Sequence, residues 1–573
     1  MAEIAARQNN RETRLTIKNT SDQAAVLREV EVYSLPLREA GFTGGAAVYA
    51  EGYQMLQQTA ALLEELSPDT ASTDKDHYRL PQADGFFTAY NYAYFEQNGR
   101  VLLLGATSCN SYRTEIRISR ETVRLVQIPE GRTLAAGAEL PLESYAVIEG
   151  TDRNGVLEEF AGYIGANHPK RGFREVPDGW CSWYCYGPMV TEGAINKNLR
   201  HAKRCFPQLK YIQIDDGYQP HMGDWLEQTK KFRHQMKDVC LKIRSEGFEP
   251  AMWVAPFIAS EKSRVFKDHP DWFIQDENGD PLSAEKVTFR GWRDAPWYFL
   301  DPTHPEALAY VKHVFAVMKR EWKVDYFKLD ANCWGALPFG ARHHKEATSV
   351  EAYRSGMEAL WDACGEDTYL LGCNAPLWPS LGVVNGMRVT NDISRDMDCV
   401  KFLSAQCFRR NWMHGKLWIN DPDCLVQVGM KTGVMAGLRL KTKRVEKRTE
   451  NEAMYRYAAA FIRASGGMVL SGDRLYSLSL YDTGILMKLI ASERTAAKFN
   501  SDYSVGTIET AEYTDYLLFN EGKESKRFEI AAPGTYLDMF GDREVDAKAV
   551  FTATLAAEDA GWFRLKKRRE GLS

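Results

Sequence analysis

Short stretches of the first 170 residues alternate hydrophobic and polar positions with a period of two. Residues 112–118 place Tyr, Thr and Ile at every second position between Arg and Glu, and residues 14–18 follow the same pattern. This period is typical of half-buried β-strands, whose successive side chains point to opposite faces. Helical spacing is scarce here apart from residues 54–65. The pattern therefore predicts an antiparallel β-sandwich over residues 1–170.

Residues 171–476 instead alternate short apolar runs with helical patterns. Strands are predicted at 211–214, 252–256, 325–329, 369–372, 387–389, 417–419 and 468–470. Between residues 305 and 324 the apolar positions recur in steps of three and four, which is typical of one face of an amphipathic helix. Seven or eight such units with apolar strands imply a parallel sheet, and they favour a (β/α)8 TIM barrel over a doubly wound sheet.

Residues 477–573 return to strand patterns, predicted at 484–490, 516–520 and 528–530. A chain of 573 residues exceeds one ordinary hydrophobic core, so several domains are expected. The prediction is a multidomain α/β plus β protein. Its central barrel (171–476) is flanked by an N-terminal β-sandwich (1–170) and a C-terminal antiparallel β-sheet domain (477–573).

The composition limits the cellular compartment and the binding partners that are expected. The 72 Lys and Arg residues nearly balance the 77 Asp and Glu residues, so no basic field exists to bind nucleic acid or an anionic membrane. The N-terminus lacks the apolar run of a secretion signal, and the uncharged stretch 369–387 is interrupted by Gly, Asn and Pro, so no membrane span is predicted. The eleven cysteines form no repeated CxxC framework, which indicates reduced thiols in a cytoplasmic protein.

Polar side chains gather where the predicted barrel strands end, which is where parallel barrels carry their active sites. They are Asp215 and Asp216 after the second strand, Trp253 in the third, Lys328 and Asp330 at the fourth, Cys373 and Asn374 at the fifth, and Arg388 and Asp392 at the sixth. Alternation puts Lys328 and Asp330 on one face of the fourth strand and its apolar residues on the helix side. Several carboxylates beside a Lys and an Arg indicate an acid/base site.

Purely structural interpretations compete with this one. An Asp that follows a strand is commonly a helix cap or turn residue, and Asp421, Asp423 and Asp473 fit that interpretation. The aromatic run GWCSWYCYG at 179–187, which includes Trp183, fits a packed first strand as well as a wall on which sugar rings stack. The sequence leaves both interpretations open.

No metal or cofactor is predicted. His343 and His344 have no carboxylate or cysteine at metal-ligand spacing, and neither a Gly-rich phosphate loop nor a Gly-x-Ser-x-Gly motif is present. Aromatic residues and several carboxylates without a cofactor motif favour carbohydrate chemistry. Glycosidic cleavage needs one carboxyl as acid and a second as nucleophile or base, and spacing alone does not choose the pair.

Six motifs, in this order, resemble glycoside hydrolase family 36, the α-galactosidases and their relatives: GWCSWYCYG, YIQIDDGYQ, PAMWVAPF, DYFKLDAN, GMRVTNDIS and LWINDPD. The resemblance covers residues 174–475, and the flanking β-domains match that family's layout. It implies a retaining α-galactosidase that needs no cofactor and acts on small α-galactosides through a covalent galactosyl-enzyme. The expected partner is this small-molecule substrate, with a homo-oligomer as an open option.

The same resemblance implies roles for individual residues. Asp330 of KLDAN matches the family's nucleophile, and Asp392 of MRVTND matches its general acid/base, which should be partly buried. The implied substrate-binding residues are Asp215 and Asp216 at O4 and O6 of galactose, Lys328 at O3 and O4, Arg388 and Cys373 near O2, and Trp183 and Trp253 along the pocket. Asn374 stands where the family often has Gly, so its side chain should alter the space beside O2 or reach the next subsite.

Other functions fit the same motifs. A galactosyl-transferring enzyme would use the same pair of carboxylates, as would an α-N-acetylgalactosaminidase or an α-glucosyl-specific member of the family. A non-catalytic sugar-binding protein is a rival from another class. The presence of both Asp330 and Asp392 argues against it, since pure binding does not require that pair.

Overall fold

The computed structural model describes residues 2–70, 77–172, 175–426 and 448–567. The strands of its N-terminal part are β1 (Ala2–Asn9), β2 (Glu12–Asn19), β3 (Ala25–Leu27), β4 (Val30–Pro36), β5 (Ala47–Glu51), β6 (Gln58–Leu62), β7 (Phe87–Tyr90), β8 (Tyr92–Gln97), β9 (Arg100–Ala106), β10 (Arg113–Ile118), β11 (Thr122–Ile128), β12 (Arg132–Leu134), β13 (Glu139–Pro141) and β14 (Tyr145–Gly150). Short 3-10 helices occupy Leu63–Glu65 and Pro68–Thr70.

These strands form the predicted sandwich. One sheet has the order β1-β2-β14-β9-β8-β5-β6, with β13 also on β2, and the other has the order β4-β11-β10-β7. The pairings are antiparallel. Phe95 and Leu104 of the first sheet share a core with Ile116 and Leu125 of the second. The two sheets therefore bury one apolar layer between them, which confirms the β-sandwich.

Two local predictions in this region are wrong. Residues 54–65 form a turn, strand β6 and a 3-10 helix rather than an α-helix, because β6 pairs along its whole length with β5. Strand β10 exists but is not half-buried. Its polar face is covered as well, because Arg113 pairs with Glu130, and Arg117 pairs with Glu29 and Glu115.

The middle of the chain is built from alternating strands and helices. Its strands are β15 (Asp178–Cys181), β16 (Tyr211–Ile214), β17 (Glu249–Val254), β18 (Ile258–Ser260), β19 (Trp297–Phe299), β20 (Tyr326–Leu329), β21 (Tyr369–Gly372), β22 (Gly386–Arg388), β23 (Ile419–Asp421) and β24 (Val469–Ser471). Its helices are α1 (Arg153–Asn167), α2 (Trp183–Tyr186), α3 (Glu192–Cys205), α4 (Met236–Ser245), α5 (Arg264–Asp268), α6 (Ala284–Val287), α7 (Pro305–Arg320), α8 (Ser349–Cys364), α9 (Met397–Arg410), α10 (Arg448–Ser465) and α11 (Leu480–Ile490).

Eight of these strands form one parallel sheet in the order β23-β22-β21-β20-β17-β16-β15-β24. A parallel bridge between Leu425 and Ser471 joins its two ends. Helices α3, α4, α7, α8, α9, α10 and α11 follow seven of the strands, and β21 is followed only by the 3-10 helix Trp378–Ser380. The predicted (β/α)8 barrel is therefore confirmed, and its strand ends gather at one mouth.

The last part of the chain is a small antiparallel domain. Its strands are β25 (Lys498–Phe499), β26 (Val505–Glu509), β27 (Tyr513–Asn520), β28 (Lys526–Ile530), β29 (Gly534–Asp538), β30 (Arg543–Ala547), β31 (Phe551–Leu555) and β32 (Asp559–Lys566). Six of them form the sheet β25-β26-β27-β32-β29-β30, and β28 pairs with β31. Leu518, Phe528, Tyr536 and Phe551 form its core. This confirms the predicted C-terminal β-domain.

The strand predicted at 484–490 is wrong, since these residues belong to helix α11. Ser479 caps that helix and exchanges hydrogen bonds with Asp482, a capping box that the sequence displays as S-x-x-D. Helix α11 follows β24 in the way that the other barrel helices follow their strands. The domain limits 1–170, 171–476 and 477–573 stay predictions.

All eleven cysteines are free thiols. Within the parts of the chain that the structure describes, no helix is both long enough and apolar enough to cross a membrane.

Candidate active site

The ends of β16, β17 and β20 bring several predicted residues into contact. The Lys328 ammonium lies 3.1 Å from Asp215 Oδ2 and 4.0 Å from Asp330 Oδ2. The indole Nε1 of Trp253 donates to Asp330 Oδ2 at 3.0 Å. Phe327, on the opposite face of β20, packs its ring 4.9 Å from Phe315 of α7. The alternation along β20 therefore turns the charged residues towards the mouth, as predicted.

Electrostatics keep Lys328 charged. Burial lowers the pKa of Lys328, but Asp215, Cys373 and Asp330 outweigh that effect and raise the pKa well above its usual value. Burial raises the pKa of Asp215, and Lys328 opposes this rise. Lys328 therefore places a permanent positive charge between the carboxylates of Asp215 and Asp330.

Three hydrogen bonds orient the Asp330 carboxylate. Besides Trp253, the backbone N–H of Ala331 and the side-chain Nδ2 of Asn374 donate to it, each at 2.8 Å. Ala331 and Asn374 both have left-handed backbones, with φ of 51° and 43°. Asn is one of the few residues other than Gly that adopt this conformation readily. The side chain at this position therefore turns inward onto Asp330.

A second cluster lies where β22 and β23 end. The buried Arg388 guanidinium donates to Asp392 Oδ1 at 2.7 Å, to the Tyr184 hydroxyl at 3.2 Å and to Asp423 Oδ2. Its Nη1 lies 3.9 Å from Cys373 Sγ. Burial lowers the pKa of Arg388, but Asp423, Tyr184 and Asp392 outweigh it and raise the pKa. Arg388 is therefore a fixed positive charge.

The prediction that Asp392 is partly buried is wrong. Strand β22 ends at Arg388, four residues earlier, so Asp392 lies in the following loop. Its side chain is 61% exposed. The carboxylate is held at the surface of the mouth by the Arg388 contact rather than by burial.

The structural interpretation of Asp423 is incomplete. Asp423 does make a turn, since its Oδ1 accepts from the N–H of Cys424 at 2.7 Å. However, its Oδ2 accepts from Arg388, from the Tyr184 hydroxyl and, at 2.7 Å, from the N–H of Ile393. Burial raises the pKa of Asp423 to about 6; Arg388 opposes this rise, and Asp392 adds to it. The position of Asp423 two residues after the barrel strand β23, in the motif LWINDPD, was the available signal for this residue.

Sequence reasoning missed two residues that contact Asp216. Arg293 donates to its carboxylate from Nε at 2.9 Å and from Nη2 at 2.5 Å, and Trp292 donates from Nε1 at 3.1 Å. Both lie in the long connection between β17 and α7, whose length and Trp-Arg pair were the only signals. The Trp292 ring lies 6.1 Å from that of Trp253. This connection therefore reaches over the strand ends.

The aromatic run 179–187 divides at the end of β15. Trp180, on the strand, is fully buried and its Nε1 donates to the carbonyl of Asp473. Trp183 begins α2 beyond the strand end and is partly exposed. The packed interpretation therefore holds for the strand, and a sugar-lining role for Trp183 stays a prediction. Within the described residues, no three or more His, Cys, Asp or Glu side chains are grouped to hold a metal ion.

Comparisons with known proteins place this site in context. Residues 212–364 match the family model described as Melibiase. The chain is 26% identical over 216 residues to the mouse myogenesis-regulating glycosidase, covering 37% of this chain and 28% of that one. It is also 26% identical over 249 residues to the A type blood alpha-D-galactosamine galactosaminidase of Flavonifractor plautii, covering 40% of this chain and 22% of that one. The matches thus span about a quarter of each relative's length.

A solved structure resembles almost the whole chain. The alpha-galactosidase TtGalA from Thermus thermophilus, in complex with p-nitrophenyl alpha-D-galactopyranoside, superposes with a TM-score of 0.63 at 20% identity. The superposition covers 95% of this chain and 99% of that one. This similarity establishes the fold.

Proposed function

We propose that the protein is a retaining α-galactosidase of glycoside hydrolase family 36 that removes terminal α-D-galactosyl residues from small oligosaccharides in the cytoplasm. The observation that carries the proposal is the oriented carboxylate of Asp330, which has three hydrogen-bond donors and Lys328 beside it. The Melibiase match, which runs from 212 to 364, includes this residue. The relatives named as glycosidases support the same reaction class.

In the first step, ionised Asp330 attacks the anomeric carbon and the glycosidic bond breaks. Protonated Asp392 gives its proton to the departing oxygen, so the aglycone leaves as a neutral alcohol. Arg388, 2.7 Å from Asp392, stabilises the carboxylate that this proton transfer creates. The products of this step are a β-galactosyl ester on Asp330 and the free aglycone.

In the second step, Asp392 takes a proton from water, and the resulting nucleophile attacks the anomeric carbon of the ester. Asp330 leaves as a carboxylate, and α-galactose forms with its original configuration. Trp253, Ala331 and Asn374 then stabilise the restored charge on Asp330 through their hydrogen bonds. Water and a sugar hydroxyl compete at this step, which is where a transferase would differ.

Recognition of the sugar follows from the same cluster. Asp215 and Asp216 are assigned to O4 and O6, and Lys328 to O3 and O4. Arg293 binds the Asp216 carboxylate and has a side chain that is 20% exposed, so it borders the same end of the sugar. A fixed set of charged acceptors and donors selects axial O4, because the equatorial epimer would leave these groups unpaired.

The remaining assignments concern the 2-position and the walls. Arg388 and Cys373 are assigned to O2, and Trp183 and Trp253 to the walls of the pocket. Asn374 is assigned to the same side, where its side chain also contacts Asp330. This side of the pocket decides between galactose and its 2-acetamido analogue.

The test is the rate of hydrolysis of matched aryl α-glycosides of galactose, glucose and N-acetylgalactosamine. We expect the galactoside to dominate and Asp330→Asn to abolish its turnover. Asp330→Gly supplied with azide should yield β-galactosyl azide, because azide enters the space of the missing carboxylate. Normal turnover in either variant would refute the role of Asp330, and dominance of another glycoside would refute the galactosyl specificity.

A further inference from the structure

Arg410, the last residue of α9, is completely buried and uses every N–H of its guanidinium. Nε and Nη2 donate to the two oxygens of Glu51 at 3.0 and 2.5 Å. Nη1 donates to the carbonyls of Met55 at 2.7 Å and Val389 at 2.8 Å, and Nη2 also donates to that of Gln57 at 2.6 Å. These five bonds account for all five donors of the side chain.

The partners of Arg410 join two parts of the fold. Glu51, Met55 and Gln57 belong to the end of β5 and the turn that follows it in the N-terminal sandwich, here called the 51–57 segment. Val389 directly follows the barrel strand β22. The side chains of Glu51 and Arg410 are both 0% exposed. An arginine at such a site fixes the geometry of several acceptors at once, which a single ion pair does not do.

The 51–57 segment lies against the loop that carries Asn374. Gln54 forms an antiparallel bridge with Pro376, and the Tyr53 carbonyl accepts from the N–H of Leu377 at 2.8 Å. Met55 Sδ lies 3.4 Å from the backbone nitrogen of Asn374, and the Asn374 side chain donates to Asp330. The 51–57 segment is therefore connected to Asp330 through Asn374.

A second set of contacts links Arg410 and its helix α9 to the loop of Asp392. Val389, held by Arg410, lies between Arg388 and the loop of Asp392. One helical turn before Arg410, Gln406 binds the next residues of that loop, with its Oε1 2.8 Å from the nitrogen of Asn391 and its Nε2 2.9 Å from Asn391 Oδ1. Gln406 and Arg410 are four residues apart on α9 and so share a face.

We propose that Arg410 is a positioning residue, which holds the N-terminal 51–57 segment between the two catalytic loops and thereby sets where Asp392 stands relative to Asp330. The proposal rests on the proposed function, because it assigns Asp330 and Asp392 their roles. It makes the N-terminal sandwich a part of the active site of its own chain.

The C-terminal junction offers a matched control. Arg463 of α10 pairs with Asp515 of β27, and both side chains are nearly or fully buried. This arginine also donates to backbone carbonyls, those of Glu493 and Thr495. Arg410→Lys and Arg463→Lys each keep the charge and lose the planar fork, and in the control Asp515 also keeps its second partner, Arg564.

The experiment compares two substrates with different leaving groups. Melibiose needs a proton from Asp392, whereas 4-nitrophenyl α-galactoside leaves readily without one. We expect Arg410→Lys to lower kcat/KM on melibiose about 100-fold and on the nitrophenyl substrate no more than about 3-fold. Arg463→Lys should change both rates equally and little. The melting temperature of each variant is measured so that all rates are compared below unfolding.

Hydrogen exchange supplies a second readout that needs no activity. Arg410→Lys should accelerate exchange in peptides that span residues 386–393, and Arg463→Lys should not. Equal loss on the two substrates, or unchanged exchange at 386–393, would overturn the positioning role. If the wild type hydrolyses no α-galactoside, the proposed function fails, and exchange still decides whether Arg410 holds this loop.

Discussion

The N-terminal and C-terminal β-domains are attached to the barrel by the same device. Each junction contains a buried carboxylate, Glu51 or Asp515, that is bound by arginine. Asp515 accepts from Arg463 at 2.9 Å and from Arg564 at 2.7 and 2.9 Å, and its side chain is 0% exposed. Each carboxylate is thus neutralised within hydrogen-bond distance, as buried charges must be.

The two junctions differ in what else the arginine holds. Arg410 binds the carbonyls of a turn that touches Asn374 and of a residue next to Arg388, whereas the carbonyls bound by Arg463 lie between α11 and β25. The strength of a buried ion pair is therefore a poor guide to its function. Its other hydrogen bonds decide whether it merely joins two domains or arranges a site.

The largest effect is expected from removing the buried carboxylate, and it should be similar at the two junctions. Glu51→Leu leaves Arg410 without its carboxylate, and Asp515→Leu leaves both Arg463 and Arg564 without theirs. Each change should cost about 3–5 kcal/mol of unfolding free energy. Urea unfolding of each variant measures this cost. Replacing both partners, as in Glu51→Leu with Arg410→Met, should recover part of it, because no unpaired charge remains. A cost below about 1 kcal/mol at either site would mean that water reaches the arginine there.

A smaller effect comes from one histidine at each junction: His168 lies against Gly382 of the barrel, and His414 Nε2 lies 3.2 Å from the carbonyl of Arg494 beyond α11. Burial lowers the pKa of both His168 and His414 to about 4. Neutral His168 Nε2 accepts from the N–H of Cys109 at 2.9 Å, and neutral His414 Nδ1 accepts from the N–H of Asn420 at 3.2 Å. Protonation removes each acceptor.

Since the folded pKa lies below the unfolded value of about 6.5, this stability is complete above pH 6.5 and is lost as the pH falls towards 4. Each histidine should contribute about 3 kcal/mol to the loss between pH 7.5 and 4. His168→Gln and His414→Gln should each reduce the pH dependence of the unfolding free energy by that amount. If only one substitution reduced the pH dependence, water would reach the histidine at the other junction.

The smallest effect is expected from changing Asn374, which the turn at the N-terminal junction contacts. Asn374→Gly keeps the left-handed backbone but removes a hydrogen bond to the Asp330 carboxylate, so kcat/KM on an aryl α-galactoside should fall about 10-fold. Asn374→Asp should lose more, because it adds a like charge beside Asp330. Unchanged activity in Asn374→Gly would break the link between the N-terminal turn and Asp330.

Periodicity and motif order were sufficient to predict the three-part architecture, most barrel strands and the cluster of Lys328, Asp215 and Asp330. These features depend on local alternation and on the rule that parallel strands end at one mouth. The exposure of Asp392 was not predictable, because it depends on where β22 stops rather than on the motif around it. The apolar run at 484–490 predicts a strand, but the S-x-x-D capping box at 479–482 outweighs this pattern and begins helix α11.

Contacts between residues far apart in the chain could not be predicted from the sequence. Arg293 reaches Asp216 across 77 residues, and Arg410 reaches Glu51 across 359. Both arginines look like ordinary surface charges in the sequence, since neither is part of a motif. Only the folded chain shows that one faces the candidate sugar site and that the other closes the junction between the sandwich and the barrel.

The bridge between Gln54 and Pro376 limits how the protein can be truncated and how its domains can be exchanged. A fragment truncated to the barrel would lose the residues that pair with Pro376, two positions after Asn374. Such a fragment should therefore have little activity even if it folds. Exchange of the sandwich for that of another enzyme would have to carry a compatible turn with it. The sandwich and the barrel should therefore be inherited and recombined as one unit, whereas an exchanged C-terminal sheet would only have to keep a buried carboxylate for Arg463.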